Sequence, residues 1–174
     1  DQIRFVSTFG YRSDTISKWY YSGKLNFNTQ FDNGYKYPDR ENAKSRFMAP
    51  GYLFLGVGTS YIDQPKKVNI YISPLTMKAT FVLDQVLADR GAFGVKKAIY
   101  DESGNIVQEG ERIFMELGFL FTHKYEKQLM DNVLMKSNLS LYTDYVASFG
   151  NVDVDWALDF KLKVNELYKK FENK

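Results

Sequence analysis

Apolar and polar residues alternate with a period of two along most of this chain, in long uninterrupted segments. The clearest runs from Val152 to Val164. Val152, Val154, Trp156, Leu158, Phe160, Leu162 and Val164 fall on one face, and Asp153, Asp155, Ala157, Asp159, Lys161 and Lys163 on the other. At helical spacing those charges would scatter around the cylinder. Five further segments repeat the pattern: Ile3–Tyr11, Trp19–Phe31, Leu53–Tyr61, Ile113–Lys124 and Val133–Tyr145. A seventh, Lys67–Val82, carries an interruption. Val68, Ile70 and Ile72 share a face, and after Pro74 the apolar parity shifts to Leu75, Met77, Ala79 and Phe81. A bulge would absorb one extra residue, and proline suits a bulge because it has no N–H for the ladder. The spacing therefore predicts one bent strand, with two short strands as the alternative.

The expected fold is all-β, an antiparallel up-and-down β-barrel of the outer-membrane type, present here as about seven long strands. Ten residues at about 3.3 Å each reach about 33 Å, enough to cross a ~25 Å apolar band when tilted. Strands of soluble proteins are usually shorter. The connections also alternate. Arg12–Ser17, Asp63–Lys66 and Glu126–Asn132 are short, whereas Asp32–Pro50 and Leu83–Gly110 are long and Val146–Asn151 is intermediate. Membrane barrels have short turns at one end and longer loops at the other. Within the longest loop, Asp84–Gly91 suits one helical turn. Asp101–Asn105 reads as a turn at the tip of a small hairpin. A further turn is expected near Asn165. No repeat, linker or low-complexity tract interrupts the chain, so residues 1–174 are read as a single β-barrel domain.

Composition sharpens this picture. Thirteen Tyr, fourteen Phe and two Trp make up 17% of the chain, a content suited to pleated surfaces and to membrane–water interfaces. Trp19, Tyr21, Phe31, Tyr61, Tyr125 and Tyr145 lie toward segment ends, where interfacial girdles would require them. No run approaches the length of an apolar transmembrane helix. Asp1 opens directly into the strand pattern, and the expectation is a processed protein or a fragment of a larger barrel. A formal net charge of +2 argues for neither nucleic acid nor an anionic surface as an obligate partner, and no nucleic acid is expected. With no cysteine, disulfides, thiolate metal sites and a cysteine nucleophile are excluded.

The alternation alone does not say which face is inside. In a membrane barrel the apolar face meets lipid and the polar face lines the lumen; in a soluble barrel the reverse holds. On the first reading the lipid-facing residues are Leu25, Phe27, Leu117, Phe119, Trp156, Leu158, Phe160 and Leu162. The lumen-facing ones are Lys24, Arg112, Glu116, Lys124, Lys136, Asp153, Asp155, Asp159, Lys161 and Lys163, with Asp144 beside them. Their mixed signs imply an interior crossed by salt bridges or filled with water. Gly56, Gly58 and Gly118 on that face suit close approach or tight curvature.

Four motifs carry a resemblance: Lys18-Trp-Tyr-Tyr-Ser22 through Leu25-Asn-Phe-Asn-Thr-Gln-Phe31; Met48-Ala-Pro-Gly-Tyr-Leu-Phe-Leu-Gly-Val-Gly58; Ile72-Ser-Pro-Leu-Thr76 with Lys78 and Thr80; and Gly91-Ala-Phe-Gly-Val95. Over about residues 1 to 165 the chain resembles a Bacteroidetes family of uncharacterised outer-membrane-type proteins, a domain of unknown function. The resemblance implies a secreted, outer-membrane-directed protein with strands beyond this sequence at both ends. It implies no activity.

Catalytic and metal chemistry find little support. His123 is the single histidine. As a general base it would need a serine and an acid converging on it, and it lies on the apolar parity of its segment, as an interfacial residue would. Asp153, Asp155 and Asp159 lack the glycine and terminal glutamate of a calcium loop. Asp101, Glu102, Asn105 and Glu109 could hold a cation only loosely. No enzyme activity, cofactor or metal is expected. The expected role is a pore, a transport element or an envelope scaffold in the Gram-negative outer membrane, with membrane lipid and other envelope proteins as partners. The alternative is a soluble β-barrel holding an apolar ligand in its interior.

Overall fold

The computed structural model describes residues 2–35, 38, 43–146 and 149–163. The expected turn near Asn165 and the end of the last segment at Val164 lie outside the described residues. The wall consists of β1 (Gln2–Tyr11), β2 (Trp19–Gln30), β3 (Gly51–Asp63) and β4 (Val68–Phe81), followed across a long loop by β7 (Ile113–Met130), β8 (Val133–Asp144) and β9 (Asp153–Leu162). The loop contains a helical turn α1 (Gln85–Asp89), a 3-10 turn (Ala92–Gly94) and a hairpin of β5 (Ile99–Tyr100) and β6 (Ile106–Gln108). The protein is all-β. Its seven wall strands form one antiparallel sheet in the order β1-β2-β3-β4-β7-β8-β9, each strand pairing with the next in the wall.

The register keeps every apolar segment on one face. Phe5 pairs with Phe27, Phe27 with Leu53, Leu53 with Ala79 and Ala79 with Met115. On the far side Phe121 pairs with Leu141, and Leu141 with Val154. Because side chains alternate with a period of two, a single slip would turn a whole strand over. The one extra residue in β4 is absorbed as predicted. Val57 pairs with Leu75 and Thr59 with Ile72, so Gly58 faces both Ser73 and Pro74. A Cβ at Gly58 would lie 2.0 Å from the Ile72 carbonyl oxygen, so only glycine fits opposite this bulge. Ser73 Oγ lies 3.0 Å from the Val57 carbonyl, Thr76 Oγ1 is 2.8 Å from Ser73 Oγ, and the Tyr145 hydroxyl donates to the Pro74 carbonyl at 2.7 Å. The polar groups opened by the bulge thus find partners.

All short turns lie at one end of the sheet (12–18, 64–67 and 131–132) and all longer connections at the other. One boundary differs from expectation. The predicted turn Glu126–Asn132 is strand as far as Met130, with a second irregularity between Gln128 and Met130, and only Asp131 and Asn132 turn the chain.

The long loop shares a core with the β2–β3 connection, in which Ala49 joins Val82, Leu87, Ala88 and Val95, with Ala92, Phe93 and Phe114 packed against them. Asp84 caps α1 by accepting from the Leu87 amide at 3.0 Å, and the helical turn expected at Asp84–Gly91 is present. The Asp101 carboxylate accepts from the Ser103 and Asn105 amides at 2.9 and 2.8 Å and closes the hairpin turn. That carboxylate organises the loop. Asp89 ties the loop to its exit, with Oδ1 accepting from the Gly110 amide at 2.8 Å and from the Gln85 side chain at 2.6 Å.

The Gly110 amide, then the Gln85 side chain, hold the Asp89 carboxyl below the ordinary aspartate value of 3.8. A depressed carboxyl contributes stability above its unfolded-state value and loses it as the pH falls through the folded-state value. Hydrogen-exchange protection at Gly110, corrected for the intrinsic rate, is therefore expected to be constant at neutral pH and to fall below about pH 3.8. Asp89→Asn keeps an acceptor but cannot titrate, and should flatten the response in that window. An unchanged acid response in the variant would remove Asp89 from this role.

Candidate functional site: the polar face of the sheet

In the central strands of this wall burial runs opposite to polarity, while β1 and β9 are exposed on both faces. On the apolar face Met115 is 67% exposed and Val57 60%, whereas on the polar face Thr76 is fully buried and Tyr71 and Tyr142 are 1% and 4% exposed. Ser22, Ser60, Ser73 and Asp144 on the polar side are also buried. On the apolar side the buried exceptions are Ala79, shielded between Leu53 and Met115, and the strand-end residues Thr29 and Asp63. No second layer covers the middle of either face among the described residues, so curvature explains the difference. Side chains on the inner face of a curved sheet converge, and those on the outer face splay apart.

The convergence requires missing side chains. A Cβ at Gly56 would lie 2.6 Å from the Tyr71 hydroxyl, and one at Gly118 would lie 2.1 Å from the Thr143 carbonyl oxygen and 2.9 Å from the Tyr142 ring. Tyr71 and Tyr142 cluster with Leu120 and Phe54 on this face. Each tyrosine carries a lysine: Lys24 Nζ lies 3.6 Å from the centre of the Tyr71 ring and Lys78 Nζ 3.1 Å from that of Tyr142. An ammonium over an aromatic face recovers part of the interaction it loses on leaving water. At the turn end Glu126 takes one lysine on each oxygen, Lys67 at 2.6 Å and Lys136 at 2.9 Å.

Lys24, Glu116, Lys124, Lys136, Asp153, Asp155, Asp159 and Lys161 all fall on this polar face by register. Leu25, Phe27, Leu117, Phe119, Trp156, Leu158, Phe160 and Leu162 fall on the apolar one. Two expected members do not belong to the wall. Arg112 precedes β7 and donates through Nε to Gln85 Oε1 of α1, which makes it part of the loop cluster. Lys163 follows the last residue of β9 and its backbone amide bonds to Asn132. The structure adds Tyr71, Lys78 and Tyr142. Their signal in the sequence was parity, since each stands on the polar side of its strand once the Pro74 shift is counted.

His123 lies on the apolar face in a cross-strand row that runs Trp19, Tyr61, Ile70, His123, Leu139, Trp156. Its ring stacks on Tyr125 with centroids 6.2 Å apart. Among the described residues no group of three His, Asp or Glu is placed to hold a metal ion, and no helix is long and apolar enough to cross a membrane.

Residues 1–35 match the family model described as a protein of unknown function, DUF3078. The match covers β1 and β2, the hairpin that supplies Lys24 to the polar face. No curated protein and no solved structure matches the chain. The resemblance to a domain of unknown function thus holds over this first hairpin.

If Gly56 is empty to seat Tyr71, Gly56→Ala should destabilise the sheet by about 1–3 kcal/mol. In a Tyr71→Phe background, which removes the hydroxyl nearest the new methyl, the cost should shrink, leaving only the contact with the Phe54 ring at 3.2 Å. Denaturant unfolding of the two single variants and the double variant measures this coupling. Equal costs in both backgrounds would show that the two positions are independent.

Proposed function

We propose that this chain is part of the wall of an outer-membrane β-barrel, with the apolar face against lipid and the polar face lining the lumen, serving as a pore, a transport element or an envelope scaffold. The observation that carries this reading is the inverted burial of the central strands: their most enclosed side chains stand on the polar face, while large side chains of the apolar face stand open. Six inter-strand spacings of about 4.8 Å make the apolar face about 29 Å wide, and ten-residue strands make it about 33 Å tall. That is on the order of 900 Å², larger than the ~300–600 Å² patches typical of soluble monomers. A soluble barrel filled with an apolar ligand would need the opposite curvature.

Other features fit the same reading. Tyr11, Trp19, Tyr21, Tyr61, His123 and Tyr125 lie on the apolar face toward the turn end, where aromatic girdles meet headgroups. All short turns share one end, which would be periplasmic. Among the described residues β1 pairs only with β2 and β9 only with β8, leaving two free edges. Both edge strands run in the same direction, from the loop end to the turn end. Antiparallel closure therefore needs an odd number of further strands, which gives an even total. A source in Gram-negative Bacteroidetes belongs to the same proposal. No catalytic step is assigned, and membrane lipid and other envelope proteins are the partners proposed.

The full-length protein in its native host should fractionate with the outer membrane and shift in gel mobility on boiling. Recovery in the soluble periplasm without a shift would overturn the reading. The orientation has a separate check. Leu117→Arg should cost about 2–4 kcal/mol near the bilayer midplane, and Asp159→Lys much less. Reversible unfolding in lipid or detergent measures both, and equal tolerance would reverse the faces.

A further inference from the structure

The turn end of the polar face holds a pocket of about 280 Å³. Lys67, Lys124 and Lys136 line it together with Asn69, Asn138 and Glu126. The register builds this set. Asn69 pairs with Lys124 and Lys124 with Asn138, so an amide flanks the lysine on each side, and Glu126 pairs with Lys136 in the next row. The lining carries three ammoniums and one carboxylate. Glu126 engages Lys67 and Lys136, one on each oxygen. Lys124 forms no ion pair among the described residues, and the charge it meets across the face is another ammonium, Lys24. Asp159 lies opposite Lys136 in the register and forms no ion pair with it. The Glu126 carboxylate between two lysines marks this end as a place where an oxyanion is favoured, and positive charge remains after it is counted.

The geometry points to a binding site for a phosphate-class oxyanion, held by the Lys124 ammonium with Lys67 and Lys136 and oriented by the Asn69 and Asn138 amides. Several N–H donors approaching from three strands suit a tetrahedral polyanion better than a planar carboxylate. The pocket leaves room beside one phosphate, so the group can be carried on a larger molecule. Two sources share this chemistry, an anionic phospholipid headgroup and a soluble phosphate ester. The site rests on the register of β4, β7 and β8, not on what covers the apolar face, so it can stand whether or not the chain spans a membrane.

The test uses the full-length folded protein in zwitterionic micelles at low salt, where exposed charges are least screened. Thermal stability and calorimetry are followed while titrating inorganic phosphate, glycerol phosphate, or phosphatidylglycerol mixed into the micelles. Saturable binding that weakens about tenfold or more in Lys124→Gln is expected. Lys96→Gln, at the loop end, should leave it unchanged. Saturation by either soluble probe identifies the soluble source, and saturation by phosphatidylglycerol alone identifies the headgroup. No saturation by any probe, or equal affinity in Lys124→Gln, overturns the site.

Discussion

The whole wall depends on keeping its side chains in phase across the Ser73–Pro74 bulge. Period-two alternation is unforgiving, because one unmatched residue sends every later side chain to the opposite face. Without the bulge, Val68, Ile70 and Ile72 would stand opposite in sense to Leu75, Met77 and Ala79, and β4 would turn half of its apolar set onto the polar face. The structure localises the correction to a single step. Gly58 makes room for it because the Ile72 carbonyl occupies the place of a Cβ. Ser73, Thr76 and Tyr145 then satisfy the polar groups that the irregular ladder exposes. Pro74 has no N–H to leave unpaired. Two halves of a sheet that differ in parity thus present one continuous face.

A second constraint follows from curvature. Inward side chains crowd, so the inner face must alternate large groups with absent ones. Tyr71 fills the space over Gly56, and Tyr142 that beside Gly118. The large rings in turn offer flat, electron-rich surfaces on which Lys24 and Lys78 rest. Packing and charge placement are therefore one device here: removing a ring would open a void and leave an ammonium without its partner.

Much of this was legible in the sequence because strand periodicity is a local property. The faces of β1, β2, β3, β8 and β9 follow directly from alternation, and the bend in β4 from the parity change at Pro74. The hairpin tip was visible because Asp101 and Asn105 stand at turn spacing. The far half of β7 was not. Glu126, Lys127 and Gln128 read as a polar turn, and Lys127 occupies an apolar-face position opposite Met135, so the alternation fails there while the strand continues. Arg112 and Lys163 have the right parity but lie just beyond the pairing. The importance of Tyr71, Lys78 and Tyr142 was hidden for a different reason. Parity assigns a side, but which residues on that side become enclosed depends on curvature, and curvature comes from neighbours far away in the chain.

The two ends of the polar face are built for different purposes, and the difference is physical. At the loop end, the cluster around Leu87, Ala88 and Val95 packs against Phe114, an inward-parity residue at the start of β7. Its Asp89 and Arg46–Asp84 contacts tie the loop to itself and to its surroundings. That end is covered by ordered structure. At the turn end the connection between β7 and β8 is only two residues long, and among the described residues nothing of comparable bulk folds over the face. Lys67, Lys124 and Lys136 stand there with a single carboxylate between two of them. Electrostatic attraction acts over about a Debye length, roughly 8 Å at physiological salt. A solute arriving from the turn side meets positive charge before it meets the mixed charges deeper in, around Lys78, Glu116, Asp144 and Asp153. The order of charges along the face therefore runs from an excess of lysines at the turn end to mixed signs at the loop end, where the packed loop cluster adjoins it.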